Sequence, residues 1–237
     1  GIDTAQILRR PQALGISADS KAAIEALLPM LSVRLATDGT DRASRARTEA
    51  KQEIGPRLRS HLEVVKIIRD TLPSTIIVGD SAQPIYAANL YYDHDRPSGW
   101  FNSATGFGAL GYAAPASVGA QLGAPGSTVV CLTGDGGLQF SLAELGSAKD
   151  IDAPVIFVVW NNNGYQEIEA SMVDAGIKPV GVTPQAPDFG LIAKSYGIDF
   201  ARPTSLGAFA KVLKAAKETN AIFLIDLDEM VAESGKG

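Results

Sequence analysis

Two short polar stretches contain the residues of this sequence that are best suited to chemistry. LTGDGGLQF places Asp135 among glycines after an apolar run, and VVWNNNGY places Asn162 after another apolar run. Glycines at such a position let the backbone approach a ligand closely, and free N–H groups at the start of a following helix favour an anion such as phosphate. Because an aspartate would repel a phosphate, Asp135 predicts a hard divalent cation between them, Mg²⁺ or Ca²⁺.

Asn162 is the expected second ligand of that cation. The interval from Asp135 to Asn162 is long enough for one helix, one turn and one strand of a parallel crossover, which would bring both side chains to the same edge of a sheet. Gly164 permits a turn that exposes its backbone carbonyl as a further ligand. The alternative for Asp135 is an Asp-Gly turn that only ends a strand.

The elements that must position these residues form an alternating pattern. The runs TIIVGD, STVVCLTGD, APVIFVVWN and AIFLIDLD are apolar throughout, and helical patterns such as LQFSLAELGSAKD, DFGLIAKSYG and LGAFAKVLKAAKET lie between them. Strands that are buried on both faces have this character, which is typical of a parallel sheet. The predicted fold class is therefore α/β, a doubly wound parallel sheet with helices on both faces. In such sheets ligands bind at the carboxyl ends of the strands.

Composition excludes several classes of protein. The chain has 237 residues, of which 46% are hydrophobic, and a net charge of −5 from 26 acidic and 21 basic residues. The basic residues are scattered, which argues against a nucleic-acid partner. No apolar run approaches the roughly 20 residues that span a bilayer, so no membrane partner is expected. The single cysteine, Cys131, is expected to be buried and fits a reducing, cytoplasmic location.

GDG followed at this interval by NN resembles the signature of thiamine-diphosphate-dependent enzymes. The resemblance implies the pyrophosphate-binding domain of that family. It also implies that Asp135, Asn162 and the carbonyl of Gly164 bind Mg²⁺ or Ca²⁺, which holds the cofactor's diphosphate, and that the backbone of Gly136 and Gly137 contacts the phosphates. The further cofactor-binding residues that it implies around these two motifs are Gly134, Tyr165, Glu167 and Ile168. The alternative for Glu167 is an exposed helix start.

A glycine-rich segment, ATGFGALGYAAPASVGA, has two possible interpretations. Gly106, Gly108 and Gly111 have the GxGxxG spacing of dinucleotide-binding dehydrogenases, but no strand directly precedes them. The segment is more similar to one found in the thiamine-diphosphate family. That resemblance implies that the Gly108 carbonyl accepts a hydrogen bond from the cofactor's 4′-amino group and that Leu110 supports the bent cofactor. Ordinary helix packing is the alternative for Leu110.

Four further polar positions have weak functional signals or none. In VGDSAQPIYAAN, Ser81 and Gln83 could donate to the diphosphate, as residues of this loop do in the family, or could form a polar turn closed by Pro84. His94 lies between two aspartates in YYDHDRPSG and is expected to be solvated. His61 is expected to begin a helix and has no functional signal.

The resemblance also predicts how the chain is organised. Residues 1–36 resemble the end of a central domain, residues 37–55 read as a linker or a solvated helix, and residues 56–237 resemble the complete pyrophosphate-binding domain. Relatives have an N-terminal pyrimidine-binding domain whose glutamate activates the cofactor, and that domain is missing here. The catalytic residues are therefore unknown within this chain. A homodimer or homotetramer is expected, and whether the missing part of the central domain binds FAD is left open.

The implied activity is a thiamine-diphosphate- and Mg²⁺-dependent decarboxylation of a 2-oxo acid. One alternative is an acetolactate synthase-like carboligase, and another is a non-catalytic cofactor-binding fragment. Acetohydroxyacid synthases usually have a tryptophan shortly after the NN motif, and GYQEIEASM lacks one. This difference favours the decarboxylase, one that resembles the guanidino-oxoacid decarboxylases.

Overall fold

The chain divides into two compact units. The computed structural model describes residues 14–32 and 38–234, and the units comprise residues 1–49 and 50–237. In the first unit, α1 (Ser20–Leu27) is capped by Asp19, whose carboxylate accepts hydrogen bonds from the N–H groups of Lys21 and Ala22. Helix α2 (Gly39–Glu53) crosses the boundary between the units and has no buried residue. It occupies most of the range predicted as a linker or solvated helix, whereas the predicted central-domain remnant lies partly outside the described residues.

The second unit is built on a six-stranded sheet in which all paired strands are parallel. The strand order is β2-β1-β3-β4-β6-β5. The strands are β1 (Ile76–Gly79), β2 (Trp100–Asn102), β3 (Val129–Gly134), β4 (Val155–Asn161), β5 (Asp199–Ala201) and β6 (Phe223–Asp228). After β2 the chain returns to the other side of β1, so the strand order reverses between β1 and β3. Ligand sites of open α/β sheets lie at such a reversal.

Nine helices of the second unit are described. They are α3 (Pro56–Thr71), α4 (Gln83–Tyr91), α5 (Ala113–Gly123), α6 (Asp135–Gln139), α7 (Glu144–Asp150), α8 (Gln166–Asp174), α9 (Phe189–Tyr196), α10 (Leu206–Thr219) and α11 (Glu229–Ser234). Among the described helices, none has both the length and the apolar content of a bilayer-spanning segment.

Strand β4 shows why the buried strands are mostly apolar. Val155, Phe157 and Val159 belong to the apolar layer on one face of the sheet. Ile156, Val158 and Trp160 belong to the layer on the other face. Since successive side chains of a strand point to opposite faces, both sets must be apolar when helices cover both faces. The predicted fold class is confirmed.

Three local expectations were wrong or incomplete. The short edge strands β2 and β5 were not predicted, because WFN and DFA are three residues long and include partly exposed side chains. LQFSLAELGSAKD is not one helix, since α6 ends at Gln139 and α7 begins at Glu144. His61 does not begin a helix: α3 begins at Pro56, and the His61 side chain is buried.

Candidate functional site

Asp135 and Asn162 meet at the carboxyl edge of the sheet. In the register of the neighbouring strands β3 and β4, Gly134 is opposite Trp160. Asp135 follows β3 directly, and Asn162 follows β4 directly. The expected juxtaposition of the two strand ends is therefore present in the structure.

The amide of Asn162 can be placed in two orientations. In the first, Nδ2 donates to Gln83 Oε1 at 3.0 Å, and Oδ1 lies 3.2 Å from Asp135 Oδ1 and 2.8 Å from the Gly164 carbonyl oxygen. In the second, the amide nitrogen donates to those two oxygens, and its oxygen faces Gln83 Oε1 at 3.0 Å. The second orientation thus removes the close approach of the Asn162 oxygen to Asp135 Oδ1 and the Gly164 carbonyl. It creates a new close approach between the Asn162 oxygen and Gln83 Oε1.

The first orientation gathers three oxygen atoms that have no hydrogen between them. They come from one carboxylate, one side-chain amide and one backbone carbonyl, which are the ligand types that Mg²⁺ and Ca²⁺ prefer. A cation placed among them would remove the repulsion that their short separations imply. Within residues 14–32 and 38–234 there is no cluster of three or more His, Cys, Asp or Glu side chains suited to a metal. A cation here would depend on neutral oxygen ligands as well as on Asp135.

Asp135 has unused capacity to bind. Its side chain is 1% exposed, and its Oδ2 atom is buried without a hydrogen-bond partner. Burial raises the pKa of this carboxyl group, and backbone N–H groups of Gly136 and neighbouring residues oppose that rise. A buried carboxylate with a free lone pair is costly unless a cation compensates its charge. The residues present therefore fit the implied metal.

Asp80 is a buried residue beside the site that the sequence did not reveal. It follows β1, is fully buried, and accepts through Oδ2 from the Gly111 N–H at 2.8 Å and from Thr133 Oγ1 at 3.1 Å. Its Oδ1 accepts from the Ser81 N–H at 2.9 Å. These bonds join the end of β1 to β3 and to the glycine-rich loop, defined here as residues 106–111. The available signal was its place after a buried strand, the same place that Asp135 has after β3.

The glycine-rich loop forms one wall of the site. Gly111 has φ +80°, and a Cβ atom there would lie 2.8 Å from the Cβ of Phe140, so the backbone shape and the close approach both require glycine. Leu110 is half-buried and belongs to neither apolar layer of the sheet. No strand directly precedes the loop, since the 3₁₀ turn Ser103–Thr105 follows β2. The dinucleotide-binding interpretation therefore has no support in the local structure.

The start of α8 forms another wall of the site. Glu167 is the second residue of this helix and is exposed. Its Oε1 atom accepts from Gln83 Nε2 at 3.0 Å. The side chain thus combines both interpretations made from the sequence: it lies at an exposed helix start, and it reaches the site. Gln166 joins the same wall, since its Nε2 donates to the Asn162 carbonyl at 2.9 Å.

These walls enclose a cleft of about 180 Å³. Every residue of the predicted cofactor-binding set lines it: Ser81, Gln83, Gly108, Leu110, Gly134, Asp135, Gly136, Gly137, Asn162, Gly164, Tyr165, Glu167 and Ile168. Ala82, Tyr86, Trp160 and Gln166 also line it and were not predicted. Which of them contact a cofactor stays a prediction. The structure shows that they share one cleft at the point where the strand order reverses.

Neither histidine belongs to the cleft. The expectation that His94 is solvated was wrong, because its side chain is only 9% exposed. Tyr92 Oη lies 2.8 Å from its Nδ1, and its Nε2 lies 3.1 Å from the Thr75 carbonyl oxygen. His61 is buried against Trp160, with ring centroids 5.2 Å apart and an edge-to-face geometry. Cys131 is fully buried, as expected, and burial raises the pKa of its thiol.

The chain is similar to known proteins over most of its length. The chain is 33% identical over 221 residues to the probable 2-ketoarginine decarboxylase AruI of Pseudomonas aeruginosa, covering 92% of this chain and 39% of the relative. It is 28% identical over 225 residues to the acetolactate synthase isozyme 3 large subunit of Escherichia coli, covering 88% of this chain and 39% of that relative. The chain thus spans well under half the length of these relatives.

Solved structures share the fold. The thiamine diphosphate-dependent 4-hydroxybenzoylformate decarboxylase of Rhodococcus jostii superposes with a TM-score of 0.71 at 23% identity, over 95% of this chain and 42% of that one. Residues 63–227 match the family described as thiamine pyrophosphate enzyme, C-terminal TPP binding domain. The match covers more than half of the chain and includes Asp80, both cation-site motifs and the glycine-rich loop. The chain belongs to the C-terminal TPP-binding domain family of thiamine pyrophosphate enzymes.

Proposed function

We propose that the cleft binds the diphosphate of thiamine diphosphate through a divalent cation, Mg²⁺ or Ca²⁺. The observation that supports this proposal is the convergence of the Asp135, Asn162 and Gly164 oxygens beside the unpartnered Asp135 Oδ2. Asp135 and Asn162 would hold the cation with their side chains, and Gly164 with its carbonyl. Ser81 and the backbone of Gly136 would contact the diphosphate, since both residues line the same cleft.

We infer that the reaction is the decarboxylation of a 2-oxo acid to an aldehyde and carbon dioxide, with uptake of one proton. When bound, thiamine diphosphate supplies an electron sink for the negative charge left by the departing carboxylate. The Pseudomonas relative supports this assignment because it is named as a decarboxylase of a 2-oxo acid. The Escherichia coli relative favours acetolactate-type carboligation as the second candidate. Decarboxylation is preferred because the Pseudomonas relative has the higher identity and the tryptophan expected of the synthases is absent.

The surface around the cleft is also a candidate contact for a partner domain. Phe107 of the glycine-rich loop is fully exposed, and Tyr86 and Ile168 at the cleft are 37% and 49% exposed. Large apolar side chains around a binding cleft indicate a surface that another domain covers. We infer that a pyrimidine-binding domain, from a second copy in a homodimer or homotetramer, covers it and supplies the activating glutamate. The 237-residue chain alone should then show no turnover of pyruvate or another 2-oxo acid, and steady turnover by the isolated chain would contradict this inference.

The central test is the substitution Asp135→Ala in the intact enzyme. Calorimetric titration of thiamine diphosphate with Mg²⁺ present should show clear binding by the wild type and no measurable binding by the variant. Asp174→Ala at the exposed end of α8 is the matched control, since it removes a carboxylate outside the cleft. If the Asp135 variant bound thiamine diphosphate with wild-type affinity, Asp135 would only form the turn after β3.

The reaction type is tested separately by product analysis. We expect purified enzyme supplied with 2-ketoarginine or pyruvate, thiamine diphosphate and Mg²⁺ to release carbon dioxide and aldehyde in equal amounts. Acetolactate-type products in place of aldehyde would make the enzyme a carboligase. Cofactor binding without turnover of either kind would support the non-catalytic alternative.

A further inference from the structure

We propose that Trp160 and Gln83 are positioning residues that fix the Asn162 amide with its oxygen toward the cation. The inference rests on the proposed function, because it concerns the cation site of the same cleft. It begins with the Trp160 indole, whose N–H can only donate a hydrogen bond. Nε1 of Trp160 lies 3.1 Å from Gln83 Oε1, so the oxygen end of the Gln83 amide must face the indole.

The other end of Gln83 requires the same orientation. Its Nε2 donates to Glu167 Oε1 at 3.0 Å, and an ionised carboxylate can only accept. If the Gln83 amide were reversed, an N–H group would face the indole N–H and an oxygen would face the carboxylate. Two independent partners therefore set one orientation of this amide.

Gln83 then sets the orientation of Asn162. The same Oε1 atom lies 3.0 Å from Asn162 Nδ2, so a nitrogen of Asn162 must point at it. The Asn162 oxygen is left facing Asp135 Oδ1 and the Gly164 carbonyl. The orientation in which Asn162 donates to those two oxygens is excluded by the indole, because it would set the Asn162 oxygen against Gln83 Oε1.

Burial makes this chain of contacts rigid. Trp160 is 1% exposed and Gln83 is 2% exposed, so water cannot replace a lost partner for either group. Trp160 is also packed edge-to-face against His61. Gln83 Nε2 donates to Glu167, and Gln166 Oε1 lies 3.5 Å from it. The positioning role of Gln83 therefore uses the N–H group that was predicted to donate to the diphosphate. Groups that orient a metal ligand in this way typically change metal affinity by about 10-fold to 100-fold when they are mutated.

The first test is Trp160→Phe, which keeps an aromatic ring and removes the indole N–H. Titration of Mg²⁺ into the intact enzyme at saturating thiamine diphosphate should show an affinity about 10-fold weaker or more. Trp100→Phe is the matched control, since the Trp100 indole donates to the Asn89 side-chain amide at 3.1 Å, away from the cleft. The control should keep the wild-type Mg²⁺ affinity.

Melting temperatures of the metal-free proteins separate positioning from packing. A lower melting temperature for Trp160→Phe with unchanged Mg²⁺ affinity in the folded protein would overturn the proposal. The double variant with Gln83→Leu should bind Mg²⁺ no more weakly than Gln83→Leu alone, since both changes break the same chain of contacts. Additive losses would also overturn it.

A charge-conserving exchange gives a rescue test that does not disturb the tryptophan. Gln83→Glu alone retains an acceptor for Trp160 and Asn162 but places two carboxylates together, so Mg²⁺ affinity should change. Adding Glu167→Gln restores a donor opposite the new carboxylate, and the affinity should return to within a few-fold of the wild type. No recovery would count against the proposal. Failure of wild-type protein to bind Mg²⁺ and cofactor, or full binding by Asp135→Ala, would instead reject the proposed function.

Discussion

Substitution of Asp80 by asparagine tests whether this carboxylate holds the glycine-rich loop. The two side chains have nearly the same shape, but asparagine replaces one acceptor oxygen with a donor. In the wild type, Oδ2 accepts from the Gly111 N–H and from Thr133 Oγ1, and Oδ1 accepts from the Ser81 N–H. Each oxygen faces a backbone N–H group. In either amide orientation, one backbone N–H therefore loses its acceptor and faces another donor.

The expected loss in the free energy of unfolding follows from that single N–H group without an acceptor. A buried donor without a partner costs about 1–3 kcal/mol, and Asp80 is fully buried. For a domain of about 150–250 residues, each 1 kcal/mol shifts the melting temperature by about 2–4 °C. A loss of about 2 kcal/mol thus predicts a melting temperature lower by about 4–8 °C. Loss of the Gly111 bond would also free the loop that contains Gly108 and Leu110, so thiamine diphosphate should bind more weakly.

The assay combines thermal unfolding of the metal-free enzyme with calorimetric titration of thiamine diphosphate and Mg²⁺. Asp188→Asn is the control, because the Asp188 side chain caps α9 by accepting the N–H groups of Gly190 and Leu191. Asparagine caps helices about as well as aspartate, so the control should change neither measurement. If Asp80→Asn unfolds at the wild-type temperature and binds the cofactor normally, the Asp80 carboxylate does not hold the loop.

Three further substitutions test separate parts of the structure. Burial lowers the pKa of His94 below 6.5, despite Asp95 nearby. The neutral form of His94 therefore stabilises the fold above pH 6.5, and this contribution is lost as the pH falls through the folded pKa. His94→Gln should lessen the fall in melting temperature below pH 6.5. Leu110→Ala should reduce cofactor affinity and kcat with little change in the melting temperature of the apo-enzyme. A loss of about 2–5 kcal/mol in the free energy of unfolding would instead indicate that Leu110 packs in the core. Gly137→Ala puts a Cβ atom 2.8 Å from Asp80 Oδ2 and should destabilise the protein by about 1–3 kcal/mol, measured by denaturant unfolding.

Each of these has a result that would contradict it. An unchanged pH profile for His94→Gln would mean that His94 is protonated as readily in the folded state as in the unfolded chain. For Gly137→Ala the control is Gly119→Ala in α5, where a new Cβ atom has no neighbour within 4 Å. Equal effects of the two alanines on stability would show that the space beside Asp80 is not restricted.

The features that were predictable from sequence are those whose signal is local. A strand buried on both faces is apolar along nearly all of its length, so β4 could be recognised from VIFVVW alone. Polar residues directly after such strands must lie at the carboxyl edge of a parallel sheet, and this places Asp135 and Asn162 together. The edge strands β2 and β5 have one partner each and are partly exposed, so they lack that signal.

The features that were missed depend on how side chains pack in the folded protein. His94 lies in a polar sequence, but Tyr92, the Thr75 carbonyl and the Gly99 backbone surround its ring. The orientation of Gln83 depends on Trp160, which is distant in sequence and adjacent only once β4 and α4 are packed. Such partners become visible only when the tertiary structure brings the segments together.

Hydrogen-bond saturation distinguishes three buried aspartates at the carboxyl edge, which the sequence alone could not do. Asp80 follows β1 and uses both oxygens to accept from the protein. Asp226 lies in β6, where Arg202 donates twice to Oδ2 and Asn161 donates to Oδ1. Asp135 alone among the three keeps a buried oxygen without a partner. Since a folded protein rarely leaves such an atom unsatisfied, the unsatisfied aspartate is the one that should bind a ligand, and the saturated ones should hold the scaffold. Replacement of Asp226 should accordingly lower stability and leave Mg²⁺ affinity unchanged, the reverse of what Asp135→Ala should do.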